Sequence, residues 1–231
     1  MAQYLIIYGT LLWPSFYMKV TKFGHCCLLI EIAGKRILTD PGKFSVAQNL
    51  VSGIDLILIT HEHSDHLHSE SLAKIIKNNP EVKIITNSSV GVILSNLYIA
   101  YQVLEGEDKL SESGILLEAY DGKHEEIFED YGQVQNTGYF IEEKLFYPGD
   151  AYTEPGKPVP VLALPVSGPW CKTVDAISYA IRVNPQTTFP VHDGLLNSSG
   201  QEIVHTIIES QLKEKGIDFV RMKEGDSKDF S

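Results

Sequence analysis

The segment from residue 61 to residue 66 contains side chains that suit a metal-binding site. It reads His-x-His-x-Asp-His, and the four candidate ligands are His61, His63, Asp65 and His66. Imidazole nitrogens and a carboxylate are good ligands for Zn²⁺, Mn²⁺ and Fe²⁺. Two histidines at this spacing can converge on one ion, while Asp65 and His66 can turn toward a neighbouring ion. The segment therefore predicts a site for two metal ions.

A two-metal site needs further ligands from distant parts of the chain, and three side chains are placed to supply them. His124 follows a turn at residues 121–123, whereas Asp150 and His192 each follow an apolar run. Each of the three stands where a predicted loop begins. Functional residues gather on loops that a rigid scaffold positions. We therefore expect these side chains to join the histidine motif.

Strands are predicted before helices in each half of the chain. The continuous apolar run 54–60 is typical of a strand buried on both faces, and it ends at the histidine motif. Helices are predicted at 69–78, 173–182 and 201–215. The other predicted strands are 20–23, 27–32, 36–39, 82–86, 115–120, 138–141, 145–147, 161–165, 187–191 and 218–222. This order favours an α/β (α+β) fold of two sheets packed face to face with helices outside.

Taken together, these motifs resemble the metallo-β-lactamase-fold hydrolases. The resemblance runs from Met18 to about Met222 and is closest to the branch that includes ascorbate-6-phosphate lactonases and small bacterial metal-dependent hydrolases. It implies a four-layer αββα sandwich. It rests on the segments FGHCCLLI (23–30), TDPG (39–42), THEHSDH (60–66), GYFI (138–141), PGDA (148–151) and PVHDG (190–194).

The resemblance also implies how the ligands divide between two divalent metal ions. Zn²⁺ is the first expectation, with Mn²⁺ or Fe²⁺ as alternatives, because sites of this composition accept several ions. A carboxylate can bridge two ions because it has two oxygens. The implied ligands of the first ion are His61, His63 and His124. Those of the second ion are Asp65, His66 and His192, and Asp150 is implied to bind both ions.

The chemistry expected of such a site is hydrolysis. Two cations lower the pKa of a bridging water, which supplies a hydroxide, and they polarise the oxygen of the bond to be cleaved. Asp65 is also the candidate catalytic residue, because its carboxylate could accept a proton while it binds the second ion. The predicted substrate is a small metabolite, phosphorylated or not, with an ester, lactone or phosphoester bond.

Two alternative functions remain open for the same residues: a phosphodiesterase or nuclease, and a non-catalytic metal-binding protein. The chain has 19 Lys and Arg against 30 Asp and Glu, a formal charge of −11. That charge opposes a groove that follows nucleic-acid phosphates. We therefore expect a small-molecule substrate and neither a nucleic-acid nor a membrane partner, with a homo-oligomer left open.

Length and composition indicate an ordinary globular protein. The 231 residues are 43% hydrophobic and 21% charged. One domain is predicted over residues 18–231, after an extension over residues 1–17 that is too short to span a bilayer. Three cysteines, of which Cys26 and Cys27 are adjacent, do not make a disulfide framework, so a reducing cytoplasmic location is expected.

Five further residues have competing or minor interpretations. Asp40 is either a turn residue or, like the matching aspartate of the resembled fold, the partner that orients a ligand histidine. His25 is left unassigned. Cys171 is expected to pack as a small hydrophobe, the alternative being a thiolate beside the metals. His68 is expected at the solvent-facing start of a helix, and His205 on the surface of the last helix.

Overall fold

A computed structural model describes residues 17–231. Most of the predicted extension, residues 1–16, lies outside the described residues. Within 17–231 the chain forms fourteen strands in two seven-stranded sheets, together with four α-helices. The two sheets follow one another along the sequence, except that the last strand of the chain returns to the first sheet.

The first sheet has the spatial order β14-β1-β2-β3-β4-β5-β6. Its neighbours pair antiparallel from β14 to β3 and parallel from β3 to β6. The strands are β1 (Met18–Lys22), β2 (Leu28–Ile32), β3 (Lys35–Thr39), β4 (Leu56–Ile59), β5 (Lys83–Thr86), β6 (Gln102–Val103) and β14 (Ser227–Phe230), and the associated helices are α1 (Ser69–Asn78) and α2 (Ser88–Asn96).

The second sheet has the order β13-β12-β11-β10-β9-β8-β7. It is antiparallel from β7 to β10 and parallel from β10 to β13. The strands are β7 (Lys109–Glu112), β8 (Ile115–Lys123), β9 (Gln135–Ile141), β10 (Leu145–Tyr147), β11 (Val161–Pro165), β12 (Thr187–Val191) and β13 (Asp218–Phe219), and the helices are α3 (Thr173–Val183) and α4 (Ser198–Lys213).

The buried strand β4 shows how the layers form. Its four residues are all buried, and successive side chains of a strand point to opposite faces. Leu56 and Leu58 therefore pack in the central core between the sheets, whereas Ile57 and Ile59 pack under α1 and α2. A third cluster joins α3 and α4 to the second sheet. The molecule is thus a four-layer αββα sandwich, and the predicted fold class is confirmed.

Several predicted boundaries were correct, and the errors have local causes. Helix 69–78 and strands 145–147, 161–165 and 187–191 match the structure. Helix α2 was not predicted; it begins where the side chain of Asn87 accepts a hydrogen bond from Val90 N, which is an N-cap.

Other differences arise from pairing and capping. Strand β8 runs three residues beyond its predicted end, and β9 starts three residues before its predicted start, because residues 117–123 pair with residues 135–141. Helix α4 begins at Ser198 rather than at 201, because Asn197 caps it by accepting from Gly200 N. The final predicted strand is shorter, ending at Phe219.

Candidate metal centre

The seven predicted metal ligands meet at one place, although they follow four different strands. The motif at 61–66 follows β4, His124 follows β8, Asp150 follows β10 and His192 follows β12. The carboxylate of Asp150 lies at the centre. Its nearest histidine nitrogens are His192 Nε2 at 2.9 Å, His66 Nε2 at 3.2 Å, His124 Nε2 at 3.3 Å and His61 Nε2 at 3.9 Å.

Three of the histidines form a group of their own. Ligand atoms of His61, His63 and His124 all lie within 4.8 Å of one another. Burial lowers the pKa of His61 well below its usual value, and the neighbouring His66 adds to this effect. Burial likewise lowers the pKa of His63. Because a metal binds the neutral imidazole, these two rings are already in the form that binds a metal.

A second group combines histidines with acidic side chains. Ligand atoms of Cys26, His66, Asp150 and His192 lie within 4.8 Å of one another. Burial raises the pKa of Asp150, but nearby His192 and His66 outweigh it and lower the pKa well below its usual value. Asp150 is therefore a carboxylate. Burial lowers the pKa of both histidines, but Asp150 outweighs it and raises their pKa well above the usual value, so metal binding there must displace protons.

Hydrogen bonds orient most of these imidazole rings. In four of them Nδ1 contacts an oxygen of the protein, which leaves Nε2 to face the other ligands. The partners are Thr60 Oγ1 for His61, Asp40 Oδ2 for His66, the Glu125 carbonyl for His124 and the Ser167 carbonyl for His192. The rings are thus held in the tautomer that a metal needs.

Three buried atoms of the site make no contact with hydrogen-bond geometry: His61 Nε2, Asp150 Oδ1 and His192 Nε2. Charged atoms lie close to two of them, with His192 Nε2 2.9 Å from Asp150 Oδ2 and Asp150 Oδ1 3.2 Å from His66 Nε2, but not at angles that make hydrogen bonds. Nearly all buried polar groups in proteins are paired, and leaving one unpaired costs about 1–3 kcal/mol. These atoms converge on the same small space, where divalent cations would complete their interactions. The chemistry of the donor set and the unpaired atoms both fit metal binding.

Asp40 is buried and, as its second interpretation predicted, orients a histidine of the site. Its carboxylate contacts His66 Nδ1 at 2.7 Å, the Tyr147 hydroxyl at 2.7 Å, and both the backbone nitrogen and the hydroxyl of Thr60 at 2.8 Å. It thereby orients His66. Asp40 and His192 also have positive φ angles of 38° and 60°, a conformation that costs non-glycine residues about 1–3 kcal/mol and is typical of functional sites.

His25, which was left unassigned, lies beside Asp65. Its Nδ1 accepts from Gly194 N at 3.1 Å, so Nε2 carries the proton and faces Asp65 Oδ2 at 3.3 Å. The same Asp65 oxygen is 3.6 Å from His192 Nε2. Burial raises the pKa of Asp65, but its close contacts with His192 and His25 outweigh it and lower the pKa below the usual value. His25 therefore orients the predicted catalytic carboxylate.

A cleft of about 400 Å³ opens onto the site. Ile127, Tyr131, Pro169 and Trp170 supply apolar surface to its wall. The Trp170 ring packs edge-on against His124 and His192, with centroids 5.6 Å and 5.4 Å away. None of the described residues that line the cleft is Lys or Arg.

Two of the remaining predictions are confirmed and one is wrong. Cys171 packs against the cluster under the second sheet, and burial raises its pKa to about 11, so it is a protonated thiol. His68 is the N-cap residue of α1 and is partly exposed. His205 is not a surface residue: it is buried, with Nε2 3.0 Å from Asp193 Oδ2.

Similarity to known proteins identifies the family of this chain. The sequence profile of a β-lactamase superfamily domain matches residues 19–192. The chain belongs to the β-lactamase superfamily. Protein Rv0786c of Mycobacterium tuberculosis is 32% identical over 193 residues, which is 81% of this chain and 90% of the relative.

Two further similarities concern this superfamily member. A UPF0173 metal-dependent hydrolase of Aeropyrum pernix is 33% identical over 108 residues, 45% of this chain and 43% of the relative. The fold of Igni18, a metallo hydrolase from Ignicoccus hospitalis, matches with a TM-score of 0.73 at 20% identity, over 93% of this chain and 99% of that one. The prediction of a metal-dependent hydrolase of the metallo-β-lactamase fold is confirmed. Among the described residues, no helix is both long and apolar enough to cross a membrane.

Sequence reasoning missed some residues of the site. It did not single out Cys26, or Thr60 and Tyr147, which share hydrogen bonds with Asp40. Thr60 immediately precedes the first motif histidine, and Tyr147 precedes Pro148-Gly149-Asp150. Their proximity to the motifs was a signal, but only the folded chain shows which way each side chain points.

Proposed function

We propose that this superfamily member hydrolyses an ester or lactone bond of a small, uncharged molecule, using two divalent metal ions, with Zn²⁺ as the first candidate. The observation that carries this proposal is the convergence of unpaired buried His61 Nε2, Asp150 Oδ1 and His192 Nε2 beneath an open cleft. In a purely structural cluster of the same residue types, these atoms would be oriented into hydrogen bonds with one another or with the backbone.

In this proposal each of the two groups of ligands would hold one ion, and Asp150 would be available to both because it lies within 4 Å of histidines from both groups. When bound, the two ions lower the pKa of water and polarise the oxygen of the bond to be cleaved. The protein contributes the fixed orientation of the imidazole rings, which Thr60, Asp40 and two backbone carbonyls maintain.

Asp65 is the proposed proton acceptor. Its side chain is 20% exposed, the highest exposure among the Asp65, His25 and His192 side chains, and it lines the cleft. His25 is buried, is not among the described residues that line the cleft, and holds the carboxylate in place, so Asp65 can take a proton from an attacking water without changing position.

The lining of the cleft favours a neutral substrate over a phosphorylated one. Sites that bind phosphate usually supply Arg, Lys or several backbone amides. The described lining residues include neither Arg nor Lys, whereas Ile127, Tyr131 and Trp170 offer apolar contacts. We therefore place an ester or lactone ahead of a phosphoester, and ahead of the nuclease alternative.

The test begins with metal content. Protein purified without chelator and then given Zn²⁺ or Mn²⁺ should bind close to two ions per chain. Panels of neutral esters, lactones, phosphomonoesters and phosphodiesters should then show turnover of neutral esters or lactones. Asp65→Asn should reduce kcat, whereas Glu62→Gln, a matched change at a neighbouring acid outside both ligand groups, should not.

Three results would contradict the proposal. Preferential hydrolysis of phosphodiesters would favour the nuclease alternative. Two bound ions without turnover of any substrate would favour the non-catalytic alternative, and a chain that binds no metal would exclude both proposed ions.

A further inference from the structure

We propose that the thiolate of Cys26 is a ligand of the ion held by His66, Asp150 and His192. The inference rests on the proposed function, because it concerns one of the two ions. It adds a sulfur donor to a site for which the sequence motifs predict only nitrogen and oxygen donors.

The distances suit one ion among these four side chains. Cys26 Sγ lies 3.4 Å from His66 Nε2, and the four ligand atoms lie within 4.8 Å of one another. With Zn–S and Zn–N bonds of about 2.3 and 2.0–2.1 Å, the S···N edge of a tetrahedral site is about 3.5 Å. The measured distance therefore matches an edge of such a tetrahedron before any ion is added.

The backbone fixes the direction of this side chain. The Cys26 carbonyl oxygen lies 3.2 Å from Thr39 Oγ1 and 2.9 Å from the Tyr147 hydroxyl. Its neighbour Cys27 points the opposite way, into the apolar cluster under α1 and α2. The Cys26 side chain is buried and faces the ligands.

The partners of Cys26 are themselves incomplete. Asp150 Oδ1 and His192 Nε2 are buried without a hydrogen bond. The resemblance assigns Asp65 to this ion, but its Oδ2 is grouped with His25 and His192, at 3.3 Å and 3.6 Å, and not with His66 and Asp150. Cys26 is thus the side chain that closes the ring of donors around His66, Asp150 and His192.

A thiolate would change the metal preference of the site. On binding, the thiol releases one proton to solvent and forms one sulfur–metal bond, with no oxidation or reduction. Soft thiolate ligands select Zn²⁺ over Mn²⁺, which prefers oxygen donors. The second ion should therefore be harder to replace by Mn²⁺ than an ion held only by imidazole and carboxylate.

The test uses the full chain loaded with Co²⁺. Wild-type protein should show a near-ultraviolet thiolate-to-cobalt charge-transfer band, and Cys26→Ser should lose it. Cys27→Ala and Cys171→Ala are matched controls and should keep it. Cys26→Ser should also weaken the binding of one of the two ions by at least the ~10–100-fold that loss of an outer hydrogen-bonding partner costs.

A second measurement does not depend on any variant folding. X-ray absorption of the zinc-loaded wild type should show a sulfur scatterer at about 2.3 Å. Two bound ions with only nitrogen and oxygen neighbours would overturn the role of Cys26 and leave the hydrolase proposal standing. A charge-transfer band that survives in Cys26→Ser would overturn it as well, and a protein that binds no metal would overturn both proposals.

Discussion

Two clusters of buried charged and polar side chains lie on either side of the backbone at residues 192–193. The first, which we call the donor cluster, contains His61, His63, His66, His124, Asp150 and His192. The second, the lysine cluster, contains Lys22, Asp193 and His205. Both combine histidine with aspartate in the interior, and they adjoin through one peptide bond.

The two clusters differ in whether their polar atoms are paired. In the lysine cluster, Lys22 Nζ contacts Asp193 Oδ1 at 2.5 Å and the Pro190 carbonyl at 2.9 Å, and the second oxygen of Asp193 contacts His205. In the donor cluster, three buried atoms have no hydrogen-bond partner. Histidine and aspartate are thus fully hydrogen-bonded in one cluster and not in the other, and this difference supports the proposal that the donor cluster binds metal.

The largest expected effect comes from removing the carboxylate shared by the two ligand groups. Asp150→Asn should lower kcat/KM by about 10³–10⁴-fold, because bound metals supply several kcal/mol of transition-state stabilisation. Added Zn²⁺ should raise the Tm of the wild type, since a ligand stabilises the state that binds it, and should raise it much less in the variant. An unchanged kcat/KM would show that the donor cluster is structural.

The lysine cluster should show the opposite behaviour. Lys22→Met leaves Asp193 buried without its cation, which costs about 3–5 kcal/mol in comparable cases. We expect a lower midpoint in denaturant unfolding, with activity per bound metal close to that of the wild type. A Lys22→Met variant with wild-type stability but weaker metal binding would contradict this separation of the two clusters.

A smaller effect is expected at Asp40, whose carboxylate orients His66 of the donor cluster. Asp40→Asn keeps the size of the side chain but weakens the contact that orients His66. Loss of such an outer partner costs about 10–100-fold in metal affinity, to be measured by competition with a chromophoric chelator. Asp218→Asn, the same change at an exposed residue of β13 away from the site, serves as the control.

The smallest effect is expected at Glu118, a buried carboxylate whose oxygens contact Lys109 and Lys157. Burial raises the pKa of Glu118, but its hydrogen bonds with Lys157 and Lys109 outweigh it and lower the pKa below the usual value. A lowered pKa stabilises the fold above the unfolded-state pKa, and this contribution is lost as pH falls through the folded-state pKa. Both lysines are partly exposed.

Glu118→Gln should therefore lower the free energy of unfolding by about 1–2 kcal/mol near neutral pH. The difference from the wild type should shrink below about pH 4, near the ordinary glutamate pKa. Urea unfolding at several pH values measures it. A difference that grows in acid would contradict the assigned direction, whereas catalysis should not change, because Glu118 is paired like the lysine cluster.

Much of the fold followed from local patterns. The continuous apolar run of β4 and the apolar spacing of α1 are local signals that can be recognised within a short segment. Strands β6 and β7 have largely exposed or half-buried residues and carry no such pattern. They exist because a neighbouring strand offers hydrogen bonds, and this depends on residues far away in the sequence.

The sequence by itself determined the candidate ligands, because a dense histidine–aspartate motif and acids at strand ends are visible without coordinates. Only the tertiary structure decided which atoms are paired. The helical pattern predicts His205 on the surface, whereas the fold places it against Asp193. The sequence motifs do not mark Cys26 as a ligand, whereas the fold turns it toward His66. Pairing is a property of distances between remote segments, and residue type and spacing alone do not contain it.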